Sequence, residues 1–236
     1  IYQISNSLNM SNIDSSVLNT HTYKEILQQP RVWKKEYNLL LENKERIKSF
    51  VSKHFGSDDF EIILSGAGTS AFIGDVLSVV YAEKGYTNSR PVPTIEIITH
   101  PEAYLLTDKK IVLISFARSG NSPESIATVE LANKLCKNVV HIIITCNKDG
   151  ILAQSISAND LLLLLPPETN DQSLAMTSSF STMLLVGLLL IDMHKIDGKE
   201  SEIDELCTNA QHVIDQYILQ IEKISHLSFS RVIFLG

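Results

Sequence analysis

The chain is 236 residues long, enough for one large domain or a domain and a fragment, because domains cluster near roughly 100 to 200 residues. Hydrophobic residues make up 44% and charged residues 20%, with 10 Gly and 7 Pro, a balance that excludes low-complexity, fibrous and disordered chains. The 20 Lys plus Arg against 27 Asp plus Glu leave a formal charge of −7, which argues against general affinity for nucleic acid; any anionic ligand must be held locally.

Taken in chain order, the leader from Ile1 to Thr22 is polar and rich in Ser and Asn, and it opens on Ile1 rather than Met, which leaves the N-terminus open to being incomplete. From Trp33 the residues Trp33, Tyr37, Leu40, Lys44, Ile47 and Val51 recur at steps of four and three, the pattern of one amphipathic helix. Glu61 to Ser65 is a short β-branched run stopped by Gly66, and Thr69 to Lys84 then reads as helix: a strand, a glycine turn and a helix in succession. The same alternation continues with strands over Val92 to Thr99, Ile111 to Phe116, Val139 to Cys146 and Leu161 to Leu165, and a helix over Ser122 to Cys136. Helices over Ser173 to Met193 and Glu202 to His226 follow.

Five apolar strands alternating with helices specify an α/β fold, a five-stranded parallel, doubly wound (flavodoxin-like) sheet covered on both faces. The reading divides the chain into an N-terminal helical segment (1–55), the α/β domain (56–200), and a linking helix with a last strand (201–236). That strand, Arg231 to Gly236, repeats the character of Glu61 to Gly66, so a second α/β unit is expected to begin there and to be cut off; the alternative is a sixth strand of the same sheet.

Three cysteines, Cys136, Cys146 and Cys207, show no C-x-x-C spacing, which predicts buried reduced thiols and a cytoplasmic protein. The longest apolar run, Met183 to Ile191, is far below the roughly 20 residues that span a bilayer, so no membrane association is expected. Seven scattered histidines include no H-E-x-x-H, and neither a metal nor a cofactor is expected.

In a doubly wound sheet ligands sit beyond the C-terminal strand ends, which directs attention to three loops. The first, Ser65 to Ala71, places Gly66 and Gly68 at a sharp turn and Thr69 and Ser70 at a helix start, where free N–H groups and the helix dipole favour an anion such as phosphate. It also satisfies G-x-G-x-x-[GA], but a dinucleotide site wants an acidic residue at the tip of the second strand, and that tip reads Thr99-His100-Pro101. The second loop, Ala117 to Ser125, leads into a helix with Ser122 as N-cap and Pro123 in its first turn. Capping needs one hydroxyl, whereas Ser119, Ser122 and Ser125 surround Gly120 and Asn121, enough donors to cradle a phosphate. In the third, Glu168 to Phe180, the Thr177 and Ser178 hydroxyls either reach a ligand in the same crevice or bond back to their own helix.

The strings LSGAGTSAFIGD (Leu64 to Asp75), ISFARSGNSPES (Ile114 to Ser125) and LAMTSSFSTM (Leu174 to Met183) closely resemble the sugar isomerase (SIS) domain of the AgaS-type tagatose-6-phosphate aldose/ketose isomerases, over about Trp33 to Gly236. The resemblance implies conversion of galactosamine 6-phosphate into tagatose 6-phosphate and ammonia by two tandem SIS domains in a homo-oligomer. It implies a phosphate held by Ser70, Ser119 and Ser122 with donors from Gly120 and Asn121, and a sugar side formed by Gly68, Thr69, Arg118, Thr177 and Ser178. Ala117 and Arg118 stand where the more distant glucosamine-6-phosphate synthase has a Ser-Gln pair; Arg118 either adds a charge to the ligand or pairs with a surface carboxylate.

Aldose/ketose interconversion moves a proton between C1 and C2 and needs a general base. The resemblance implies a catalytic Glu and His in the second SIS domain, past Gly236, so no base is assigned here. Glu168, Asp171 and His100 lie near strand ends and are expected to be structural. A non-catalytic sugar-phosphate sensor is the alternative function; regulators of that kind carry a basic helix-turn-helix, and the leader here has no basic helix.

Overall fold

The computed structural model describes residues 15–56 and 59–233. The elements in order are α1 (Ser15–Leu18), α2 (His21–Leu27), α3 (Gln29–Glu42), α4 (Lys44–Phe55), β1 (Phe60–Gly66), α5 (Ala71–Glu83), β2 (Ser89–Pro91), α6 (Thr94–Thr99), α7 (Pro101–Leu105), β3 (Lys110–Ala117), α8 (Pro123–Leu135), β4 (Val139–Thr145), α9 (Ile151–Gln154), β5 (Leu161–Leu164), α10 (Ser178–Ile191) and α11 (Glu200–Ser225). The strands form one all-parallel sheet in the order β2-β1-β3-β4-β5. This is the expected α/β doubly wound architecture, and its order reverses between β1 and β3.

Period-two geometry divides each strand between two cores. Ile62 and Leu64 of β1, Val112, Ile114 and Phe116 of β3, and Ile142 and Ile144 of β4 face one side with residues of α3, α4, α5 and α10. Ile63, Ile111 and Leu113 face the other with Ile97 of α6, Leu105 of α7 and Ala132 of α8. Each fully buried Ile or Leu contributes about 1.5–3 kcal/mol, so the sheet is fixed by burial on both faces and its C-terminal loops are free to serve a ligand.

The expected strand over Val92 to Thr99 is corrected. Only Ser89 to Pro91 pairs with β1, and Thr94 to Thr99 is helix. Pro91 and Pro93 have no N–H to give to a ladder, and one helical turn sets Ile97 fully into the core while Ile95 stays exposed. The single amphipathic helix from Trp33 is two helices: α3 ends at Asn43, whose side-chain amide donates to the Leu39 carbonyl at 2.8 Å. Lys44 leaves the apolar repeat there and pairs with Asp197. The C-terminal strand is not formed over 231–233, where Val232 and Ile233 are exposed, and residues 234–236 lie outside the described residues. Residues 1–14 of the leader also lie outside them. Among the described residues no helix is long and apolar enough to cross a membrane.

The buried face of α3 carries one carboxyl, Glu36, only 2% exposed and with no hydrogen-bond partner for Oε2 among the described residues. It faces Leu162, Leu163 and Leu164 across a cavity of about 30 Å³. Burial pushes this carboxyl up from 4.5 to about 8. The folded chain therefore keeps a proton that the unfolded chain releases near 4.5, and stability falls as pH rises across that interval. Thermal unfolding of Glu36→Gln beside the parent chain tests this: the variant gains about 1–3 kcal/mol relative to the parent between pH 5 and pH 8, and parallel pH profiles would overturn the assignment.

Candidate functional site

The second loop is built by the one after β4. The carbonyl of Arg118 accepts from the Cys146 N–H at 3.3 Å and the Thr145 hydroxyl at 3.4 Å, that of Ser119 from Asn147 Nδ2 at 2.9 Å, and that of Gly120 from the Leu152 N–H at 3.1 Å. The Asn121 side-chain oxygen accepts the Ile151 N–H at 2.9 Å. In a trans peptide the N–H points opposite to the preceding C=O. Three carbonyls turned toward the segment from Thr145 to Leu152 thus turn the N–H groups of Ser119, Gly120 and Asn121 away from it. The Asn121 N–H meets Ser119 Oγ at 3.2 Å on that side. Gly120 makes the turn with φ +66°, which only glycine adopts without strain.

Ser122 sits at the N-cap position of α8 but makes no capping bond through its side chain; its carbonyl accepts the Ser125 and Ile126 N–H groups. Its half-buried hydroxyl therefore has no part in capping. Ser125 Oγ is buried with no partner among the described residues, a state that costs about 1–3 kcal/mol unless water or ligand joins it.

In the first loop a 3₁₀ turn, Gly68–Ser70, folds the chain back against the end of β1. A Cβ on Gly66 would meet the Ser70 carbonyl carbon at 2.5 Å, so the close approach demands glycine. Gly68 and Thr69 are exposed, whereas Ser70 is buried and its hydroxyl donates to the Met176 sulfur at 3.7 Å.

The third loop leaves the edge strand β5 yet reaches both others. Met176 touches Ser70, and Arg118 Nη1 donates to the Ser173 carbonyl at 2.9 Å. Its descent into α10 is organised by Asp171, 4% exposed. The Asp171 carboxylate accepts the N–H groups of Thr177 and Ser179 at 2.8 and 2.9 Å and the hydroxyls of Ser178 and Ser179 at 2.5 and 2.6 Å. An acceptor with negative charge at a helix N-terminus satisfies orphan donors and the dipole together. Ser178, expected to face a sugar, has its hydroxyl committed to Asp171 and to Gln28 Nε2 at 2.8 Å. Thr177 Oγ1 is buried and without a partner among the described residues.

The structure thus brings Gly68, Thr69, Ser70, Arg118, Ser119, Gly120, Asn121, Ser122 and Thr177 to the C-terminal end of β1 and β3, with Ser178 one layer behind. Glu168 is ion-paired to Lys35 at 2.8 Å, and the Lys35 ammonium holds its carboxyl below the ordinary carboxylate range. His100 is exposed at the end of α6, beside the Thr99 hydroxyl. Burial pushes the Cys136 and Cys146 thiols up to about 11 and about 12, so neither offers a thiolate near neutral pH. The cavity of about 150 Å³ bounded by Asn133, His141 and Asp160 lies along one face of β4, between α8 and the segment that joins α9 to β5, and includes none of the predicted site residues. Among the described residues no three His, Cys, Asp or Glu side chains cluster to hold a metal.

Sequence reasoning missed the supports: Thr145, Asn147 and Gly150 under the second loop, and Glu25 and Gln28 beside the third. A Cβ on Gly150 would clash with the Ser119 carbonyl oxygen. The sequence signal for it was an N-x-x-G turn, Asn147 to Gly150, directly after a strand.

The SIS domain family matches residues 57–193. The chain is 36% identical over 220 residues to the D-galactosamine-6-phosphate deaminase AgaS of Escherichia coli, covering 92% of this chain and 57% of that protein. It is 38% identical over 221 residues to that of Shewanella sp. (strain ANA-3), covering 91% and 55%. The crystal structure of tagatose-6-phosphate ketose/aldose isomerase from Escherichia coli superposes with a TM-score of 0.84 at 35% identity, over 91% of this chain and 59% of that one. The chain spans a little over half the length of these relatives.

Asp171 is the test of the third loop. Replacement by Ala leaves two backbone N–H groups and the Ser179 hydroxyl unpaired at the head of α10, with Ser178 keeping only its bond from Gln28, and urea unfolding is expected to show a loss of about 2–4 kcal/mol. A loss below about 1 kcal/mol would show that Asp171 does not organise this helix start.

Proposed function

The chain belongs to the SIS domain family, and from that premise we propose that it holds the 6-phosphate of an amino hexose where β1 and β3 diverge. The observation that carries the reading is the second loop, whose carbonyls of Arg118, Ser119 and Gly120 are all held by the segment from Thr145 to Leu152, which turns the following N–H groups away from that segment, that of Asn121 onto Ser119 Oγ. A phosphate monoester seated there takes these N–H groups, the hydroxyls of Ser119 and Ser122 and, across the crevice, Ser70, with the N-terminus of α8 beneath it. The sugar then extends toward Thr69, Arg118 and Thr177.

The substrate class in this proposal is galactosamine 6-phosphate, supported by the names of the relatives. The open-chain amino aldose loses its C2 proton to a base, and a proton is delivered to C1, giving the 2-imine. Water adds to the imine carbon and ammonia leaves, which yields tagatose 6-phosphate. Mechanistically the chain contributes binding and orientation, which convert a distant encounter into a placed one. No side chain among the described residues is assigned as the base, since Glu168 and Asp171 are spent on structural partners. A cradle of N–H groups and hydroxyls with a single nearby guanidinium suits an ester that must be released again.

Calorimetric titration with galactosamine 6-phosphate, beside unphosphorylated galactosamine and beside Ser119→Ala, tests the reading. Binding is expected only with the phosphate, weakened about tenfold in the variant. Equal binding of the two sugars, or an unaffected variant, would remove the phosphate from this loop.

A further inference from the structure

The third loop is gripped from outside the matched SIS segment. Glu25, on α2, is 6% exposed. Its Oε1 accepts the N–H of Gln172 at 2.5 Å and of Ser173 at 3.2 Å, and its Oε2 meets the Ser173 hydroxyl, which also lies 2.7 Å from the Ala175 carbonyl. From the other side the Ser173 carbonyl accepts from Arg118 Nη1 at 2.9 Å. The N–H, hydroxyl and C=O of one residue are all engaged, by a carboxylate on one face and a guanidinium on the other.

The grip acts where the third loop meets the phosphate loops, and little else holds it there. Leu174 is 98% exposed, so burial contributes almost nothing between Ser173 and the Met176 contact with Ser70. A guanidinium is a planar fork of five donors, and anchoring Nη1 on Ser173 fixes where the remaining donors point. Gln28 extends the grip, donating to the Glu168 carbonyl and to Ser178 Oγ, each at 2.8 Å.

Resting on the phosphosugar reading above, we infer that Glu25, acting through Ser173, is a positioning residue that sets the Arg118 guanidinium and the third loop over the sugar side of the crevice. Its effect is geometric rather than electrostatic. Glutamine at this position keeps an oxygen for the two N–H groups, and its amide donates to Ser173 Oγ, leaving that hydroxyl to donate to Ala175. Alanine keeps none of these bonds.

The experiment is titration of the 236-residue chain and its Glu25→Ala and Glu25→Gln variants with galactosamine 6-phosphate and, separately, inorganic phosphate, with amide hydrogen exchange of residues 172–176 in the ligand-free proteins. Glu25→Ala is expected to speed exchange in the loop and weaken galactosamine 6-phosphate about tenfold while leaving inorganic phosphate within about twofold; Glu25→Gln restores the parent affinity to within about threefold. A KM-like loss confined to the sugar ligand is what general loosening of the fold would not give. Unchanged sugar-phosphate affinity in Glu25→Ala, or equal weakening of both ligands, would overturn the inference. Should Glu25→Ala fail to fold, Ser173→Ala, which removes only the hydroxyl arm, is held to the same two-ligand comparison with about a threefold selective loss expected. Failure of the phosphosugar reading looks different: the parent chain itself then binds neither ligand, while Glu25→Ala still speeds loop exchange.

Discussion

The geometry of the candidate site depends on the peptide planes from Arg118 to Asn121 all being turned one way. Three carbonyls held by the segment after β4 turn the three following N–H groups away from it, because a trans peptide cannot turn one without the other. Gly120 at φ +66° makes that orientation sterically possible, and Thr145, Asn147 and Leu152 hold it by hydrogen bonds to the loop carbonyls. The donors are thereby oriented before any ligand arrives. Preorganised dipoles avoid the reorganisation that free side chains or water would require.

The acidic side chains around the third loop are engaged by the protein itself. A formal charge of −7 disfavours phosphate at long range, yet three carboxylates in and beside the third loop are taken up by partners within the protein. Asp171 is surrounded by four donors at the head of α10, Glu25 is spent on Gln172 and Ser173, and Glu168 is paired with Lys35.

The sheet was legible because burial on both faces writes continuous β-branched runs, such as Ile111 to Phe116 and Val139 to Thr145. The glycine turns and the Ser-Pro-Glu start of α8 marked the first two loops for local reasons of backbone conformation. The β-branched stretch Thr94 to Thr99 misled, since a single helical turn at a sheet edge buries Ile97 as well as a strand would. Asn43 hid the break between α3 and α4 because Leu40 and Ile47 keep a helical spacing across it. The supports of the loops were invisible for a different reason. Asn147 meets Ser119 across 28 positions, and Glu25 meets Gln172 across 147; no local pattern encodes a partner that only the closed fold brings near.

Those distant contacts also separate the loops by what holds them in the folded chain. The second loop is held by the end of the neighbouring strand β4 and the segment that follows it. The third loop needs α2, α3 and α10 all docked before Glu25, Gln28, Trp33 and Ser181 can meet. Its bonds are polar and individually worth about 0.5–1.5 kcal/mol, with an exposed Leu174 and no buried apolar anchor between Ser173 and Met176. Such a segment opens at far lower cost than the sheet beneath it. The bonds from Glu25 and Gln28 to the third loop make the N-terminal helices part of the candidate site rather than an appendage to it.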